Sequence, residues 1–309
     1  MEAFVTMITP YKKDGSVDYE TALKYVDFYY ESGLDGIFAV CQSSEIVYLS
    51  LEERVKLNRL VYERAKELER TGNRPFTVVS SGHVSDSLED QVRELTEVYN
   101  SGTDALILIT NRLDPKNEGD DVFIANAERL LAALPKDARL GLYECPHPYK
   151  RLVTPKILEW CISTGRFDYM KDTCCDAAMI AERCKQLKGS GFKLLNANCQ
   201  TLLESMRSGA DGYCGIMCNF HPNPYAWLCH NANDERADLV QSVIGIFGFT
   251  EVGLPYPLTA KYTMCLNGIP TENIARNRES GELTEYAMSC MRQMKLATDA
   301  LADSFGIKE

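Results

Sequence analysis

The sequence predicts an α/β fold: a (β/α)8 TIM barrel with a C-terminal helical extension. Short, nearly continuous apolar runs recur along the first two thirds of the chain, and amphipathic stretches with helical spacing separate them. From about Asn233 the strand pattern stops while helical spacing continues. Strands alternating with helices specify a parallel sheet, and strands covered on both faces read as unbroken apolar runs. Eight such units in about 230 residues close naturally into a barrel. An open doubly wound sheet is the alternative, but no G-x-G-x-x-G follows the first strand to support it.

The eight strands are expected at 4–8, 36–40, 76–80, 105–109, 140–145, 167–170, 192–195 and 212–216. The intervening helices are expected at 19–31, 50–69, 87–100, 121–134, 155–164, 176–187 and 201–207. The second opens on Ser50 with Glu53 three residues on, a capping-box pattern. The fifth opens on Pro155, a residue suited to a first helical position. Residues 1–232 form the barrel and 233–309 the extension, with helices at 234–249, 258–267 and 283–304. No Pro- or Ser-rich linker divides the two, so they are expected to form one structural unit.

The chain has 309 residues, 45% of them hydrophobic and 25% charged, enough to bury a sizeable core. A net charge of −11 argues against a nucleic-acid partner. No stretch approaches the roughly 18 apolar residues of a membrane span, and the first residues lack a signal-peptide pattern. A cytoplasmic protein with no membrane partner is expected. The 12 cysteines include no C-x-x-C pair, and several lie in apolar runs, which suggests reduced, buried thiols. His83, His147, His221 and His230 form no H-x-H or H-E-x-x-H motif. No metal site is therefore expected, which disfavours a metal-dependent aldolase.

In such barrels the chemistry gathers at the C-terminal strand ends. That places residues 41–45, 111–112, Tyr143, Lys171, 196–198 and 215–219 around one mouth. Lys171 ends the sixth strand in FDYMKDTCCD. An uncharged amine attacks a ketone or aldehyde to form a Schiff base, which activates the neighbouring carbon for C–C chemistry. The structural alternative is a lysine that snorkels to water or pairs with Asp172. Tyr143, in LGLYECP, could relay a proton beside that amine, or be a core aromatic with a satisfied hydroxyl. The CQSSE loop, 41–45, could hold a small carboxylate or be ordinary loop chemistry. His221 reads as a loop brace, and Cys174 with Cys175 as helix-start packing.

The segments FVTMITPYKKDGSVD, DGIFAVCQSSEIVYLSLEER, YECPHPYKR, YMKD and SGADGYCGIMCNFHP occur in this order. Through them the chain resembles the dihydrodipicolinate synthase and N-acetylneuraminate lyase family of Schiff-base aldolases over nearly its full length. The resemblance implies a (β/α)8 barrel with a helical extension, assembled as a homo-oligomer (tetramer or dimer). It also implies pyruvate or another 2-oxo acid as substrate, with no metal or organic cofactor. By this resemblance Lys171 is the Schiff-base lysine and Tyr143 the proton-relay tyrosine, with Pro146 as the proline of Y-x-x-P. The family's G-[ST]-T-G-E loop falls on Cys41-Gln42-Ser43-Ser44-Glu45. Ser43 is thus the expected carboxylate ligand, and Gln42, Ser44, Arg112 and Cys214 are further substrate-binding candidates.

Gln42 stands where the family has a hydroxyl residue in a proton relay, and an amide cannot pass a proton as a hydroxyl does. Ser44 replaces a glycine. Arg112 falls near the place of a tyrosine that the synthase takes from a neighbouring subunit. Pro148 falls where the synthase has an arginine for its aldehyde's carboxylate. Arg112, Lys150 and Arg151 could instead offer charge to a different anionic substrate. The expected activity is a metal-independent carbon–carbon lyase or aldolase joining or parting a 2-oxo acid and an aldehyde. A 2-keto-3-deoxy sugar acid dehydratase, or a non-catalytic 2-oxo-acid binder, are the alternatives.

Overall fold

The computed structural model describes residues 1–277 and 281–306. The barrel strands are β1 Glu2–Thr6, β2 Gly36–Phe38, β3 Thr77–Ser80, β4 Ala105–Ile109, β5 Leu140–Tyr143, β6 Phe167–Asp172, β7 Lys193–Asn196 and β8 Gly212–Gly215. Each pairs in parallel with the next, and β1 also pairs with β8, from Glu2↔Gly212 to Val5↔Gly215, which closes the barrel. The helices around it are α1 Tyr19–Glu31, α2 Leu51–Gly72, α3 Leu88–Asn100, α5 Asp120–Ala133, α6 Pro155–Thr164, α7 Ala177–Leu187 and α8 Leu202–Arg207, with the single turn α4 Thr110–Leu113 directly at the end of β4.

Local chemistry explains the boundaries. Ser50 and Glu53 cap α2 reciprocally, each accepting the other's backbone N–H at 3.1 and 2.9 Å. Thr154 caps α6, Pro155 opens it, and Gly165 ends it in the left-handed conformation. Inside the barrel, alternate residues of successive strands (Phe4, Phe38, Val79, Ile107, Leu195) meet as one apolar plug. The opposite faces of the same strands pack under the helices.

Most boundaries shift by one to three residues, β1 for example to Glu2–Thr6, and three differences bear on the site. β5 stops at Tyr143, so Glu144 and Cys145 belong to the following loop. β6 runs on to Asp172, so Lys171 lies within the strand rather than past its end. After β8, residues 222–230 form a helix, α9 Pro222–His230, where the two prolines suggested a loop. Pro222 stands at the first helical turn, where its missing N–H costs nothing.

The extension follows as α10 Ala237–Val252, α11 Leu258–Leu266 and α12 Glu285–Phe305; its residues 278–280 and 307–309 lie outside the described ones. No described helix is long and apolar enough to cross a membrane.

The barrel seam offers a test. Gly212 has φ +146°, and a Cβ there would lie 1.8 Å from the backbone oxygen of Glu2. Gly165 has φ +64° and nothing within 4 Å of such a Cβ. Gly165→Ala should therefore cost about 1–2 kcal/mol, the left-handed penalty alone. Gly212→Ala should cost more than about 4 kcal/mol or prevent folding, measured by urea denaturation.

Candidate active site

Lys171 and Tyr143 are paired across neighbouring strands. Side-chain alternation turns both inward while the residues after them, Asp172 and Glu144, point out under the helices. The Lys171 amine lies 4.3 Å from the centre of the Tyr143 ring and 5.8 Å from that of Phe38. The two rings meet edge to face at 5.7 Å. Lys171 is 8% exposed and Tyr143 4%. Beneath the amine only a void of about 10 Å3 remains, lined by Phe4, Val79, Ile107, Tyr169, Leu195 and Cys214 among others. That is at most the space of one water, so a ligand reaches the amine from the strand ends.

Asp172 does not pair with Lys171. Its carboxylate is taken by Arg183 of α7, whose guanidinium also binds Glu144 at 2.7 Å. Glu144 further accepts the N–H groups of Val153 at 2.7 Å and Thr173 at 2.8 Å. Burial, opposed by Arg183, raises the Glu144 carboxyl above its usual range. Among the described residues Lys171 makes no ion pair; Arg183 has taken the nearest acidic neighbour in sequence.

Three buried thiols complete the wall. Cys41, Cys145 and Cys214 are each pushed up in pKa by burial, Cys214 to about 12, and each is opposed by the positive charge of Lys171. Cys214 is therefore a buried wall element of the lumen. Tyr143 is raised well above the ordinary phenol value, first by burial and then by the neighbouring cysteines.

The CQSSE loop sits on the strand ends. Gln42–Ser44 form one turn of 3-10 helix. Ser43 donates to Thr6 Oγ1 at 3.0 Å, and the Tyr256 hydroxyl, which accepts from Asn219 Nδ2 at 3.4 Å, is buried beside this loop. Gln42 Oε1 accepts from the Cys145 thiol at 3.9 Å. Ser44 is a correction: its hydroxyl reaches the carbonyls of Met7 and Ala39 at 2.7 Å each, and its Oγ accepts from Cys41 N–H at 3.2 Å. That hydroxyl props the loop and is not available to a ligand. Nor does Ser44 carry the unusual backbone; Glu45 does, with φ 59°.

Glu45 is held by the extension. It accepts from the N–H of Asn277 at 3.0 Å and lies 3.6 Å from Lys261 of α11, which is fully buried over the Tyr11 ring.

The expected cationic rim is corrected in one member. Arg151 is buried, with Asp114 and Asp120 each at 2.8 Å; it fastens two loops. Lys150 binds the carbonyl of Thr173 at 2.7 Å on the surface. Arg112, on α4, pairs with the exposed Asp86 at 2.7 Å through one guanidinium nitrogen. His221 braces the extension: it faces Glu251 of α10 at 2.5 Å and Thr298 of α12 at 3.2 Å. Among the described residues no group of three or more His, Cys, Asp or Glu is arranged to hold a metal ion.

Sequence reasoning missed Arg183, Tyr256 and Lys261. Lys261 did leave a signal, a lone charge in the apolar helix LTAKYTMCL. Arg183 left one only by pairing, since two carboxylates directly follow the two site residues and must be neutralised behind the sheet.

The closed eight-stranded barrel thus carries a lysine and a tyrosine side by side at its C-terminal mouth, the end at which barrel enzymes gather their reacting groups. The model of the Dihydrodipicolinate synthetase family matches residues 1–110. A 4-hydroxy-tetrahydrodipicolinate synthase of Coxiella burnetii is 22% identical over 240 residues, covering 77% of each chain. The solved 4-hydroxy-tetrahydrodipicolinate synthase of Methylacidiphilum fumariolicum SolV superposes with a TM-score of 0.84 at 17% identity, over 100% of this chain and 99% of that one. YagE, an E. coli K12 prophage protein of the dihydrodipicolinic acid synthase family solved in complex with pyruvate, gives 0.82 at 17% identity, over 97% and 99%. The first 110 residues of the chain are thus similar to the dihydrodipicolinate synthetase family, and its whole length shares the fold of these solved structures.

Burial lowers the pKa of Lys261 from 10.5 to about 8. Below about pH 8 folded and unfolded chains both carry this proton, and the burial penalty is present in full. Between about pH 8 and 10.5 the unfolded chain holds a proton that the folded chain has lost, so this group makes stability rise with pH. The urea midpoint of Lys261→Met should rise less over that window than that of the wild type. Parallel curves would assign the dependence elsewhere.

Proposed function

We propose that the protein is a Schiff-base lyase or aldolase acting on pyruvate or a related 2-oxo acid, with an aldehyde as second substrate. One observation carries the reading: the Lys171 amine stands inward beside Tyr143, in a mouth that gives it no carboxylate among the described residues. Similarity to this family supports the reaction class, and two structures that share the fold were solved with pyruvate.

In this reading the amine adds to the keto carbon and the Tyr143 hydroxyl moves the protons. Ser43 and the backbone around it hold the carboxylate. The imine nitrogen, once cationic, withdraws electrons from the adjacent carbon so that a C–C bond there can form or break. The second substrate is not the synthase's own aldehyde. Pro148 supplies no charge for a second carboxylate, and Arg151 is spent on Asp114 and Asp120. Arg112 and Lys150 are the cations left to recognise it, Arg112 by exchanging the exposed Asp86 for a substrate anion and Lys150 by leaving the Thr173 carbonyl.

Incubation with pyruvate and borohydride, read by intact mass and peptide mapping, should give a reduced adduct on Lys171 that Lys171→Ala lacks. Tyr143→Phe should form it about 100-fold more slowly. Folded protein that traps neither pyruvate nor longer 2-oxo acids would overturn the proposal.

A further inference from the structure

We infer that Thr6 is the residue that aims the Ser43 hydroxyl, so that its proton points at the carboxylate of a bound 2-oxo acid. The inference rests on the reading above, in which Ser43 holds that carboxylate.

Thr6 is the last residue of β1. Side chains alternate along a strand, and Phe4, two residues earlier, lies in the apolar plug of the lumen. Thr6 therefore stands on the same inner side, at the C-terminal end of its strand. It is fully buried, and its Oγ1 lies 3.0 Å from the Ser43 hydroxyl. Its main chain is fixed from two directions. Thr6 pairs with Phe38 of β2, and its carbonyl accepts the Asn219 amide at 2.9 Å. Asn219, in the turn after β8, accepts from the Tyr29 hydroxyl at 2.7 Å and donates to the Ile216 carbonyl at 2.9 Å. The Thr6 hydroxyl is thus a fixed point against which Ser43 is set.

A count of protons separates this pair from the other hydroxyls around the loop. Ser44 donates to the carbonyls of Met7 and Ala39, and Thr9 donates to that of Ser44 at 2.9 Å. A carbonyl only accepts, so those protons are spent. Ser43 and Thr6 bond to each other, and each hydroxyl can both donate and accept. Their one shared bond uses one of their two protons. When a carboxylate arrives, both hydroxyls turn about their C–O bonds. Thr6 then donates to Ser43, and Ser43 donates to the carboxylate oxygen. The bond between the pair is kept with its direction reversed, and a charge-assisted bond is added. A hydroxyl that accepts a hydrogen bond is also the stronger donor. Thr6 does not touch the substrate; it is a positioning residue that acts through Ser43.

Borohydride trapping of the pyruvate imine, titrated with pyruvate, gives a half-saturating concentration and a limiting rate. Thr6→Val keeps the shape and removes the hydroxyl. It should raise half-saturating pyruvate about 3- to 10-fold, the worth of one hydrogen bond, and leave the limiting rate unchanged. Thr6→Ala, read alongside, should show the same rise, and Thr6→Ser should match the wild type. In a Ser43→Ala background Thr6→Val should add nothing, because both changes remove one interaction. Thr6→Val and Thr6→Ala variants with wild-type half-saturation reduce Thr6 to packing and overturn the inference. So does a Thr6→Ser variant as weak as Thr6→Ala, or a Thr6→Val effect that persists undiminished in Ser43→Ala. Ser43→Ala with wild-type half-saturation overturns the carboxylate assignment beneath it, and a wild-type protein that forms no adduct overturns the imine reading itself.

Discussion

The mouth of this barrel depends on one buried guanidinium. Arg183 binds Asp172 and Glu144, the residues directly after Lys171 and Tyr143. Two carboxylates buried side by side repel, and without a cation behind the sheet one of them would turn to the nearest amine. Buried ion pairs seldom stabilise a fold more than apolar packing would. What this triad does is positional: through Val153 and Thr173 it also fixes the loops after β5 and β6. The acids are kept outside the barrel, and the amine and the phenol are kept inside it.

Inside, the lumen offers that amine very little. Its neighbours are ring faces, aliphatic groups and thiols. A cation over an aromatic ring gains roughly 0.5–2 kcal/mol, far less than it gains from a buried carboxylate. Such a contact holds the side chain in place, yet an incoming carbonyl can displace it. The thiols fit the same requirement. They are small and polarisable, and burial keeps them uncharged, so they add no anion to compete with the substrate's carboxylate.

The barrel was legible because its signals are local and repeat: strand runs covered on both faces, helical spacing between them, Ser50 with Glu53, Pro155. Lys171 and Tyr143 were legible because strand ends in this architecture converge. What stayed hidden depends on contacts between distant segments. Ser44 looked like a ligand by position, but its hydroxyl is drawn to carbonyls contributed by the segments after β1 and β2. Arg151 looked like a free cation until Asp114 and Asp120 came beside it from another loop. The helix at 222–230 was masked by prolines that, at a first turn, favour the structure they seemed to break.

The extension belongs to this argument as well. The sequence pattern changes at residue 232, but the packing crosses that line at the mouth. Lys261 and the backbone of Asn277 hold Glu45 in its left-handed conformation, and Arg276 grips Glu53 at 2.6 Å at the start of α2, so the CQSSE loop is fastened on both sides. Tyr256 takes the amide of Asn219 at 3.4 Å beside β8, and Glu251 faces His221 at 2.5 Å. A left-handed backbone at a non-glycine residue costs about 1–2 kcal/mol and persists only where surrounding contacts determine it. At Glu45 two of those contacts, Lys261 and Asn277, come from beyond residue 232, so the barrel alone would lack the groups that shape its carboxylate loop. The helices that follow the barrel in sequence thereby become part of its mouth.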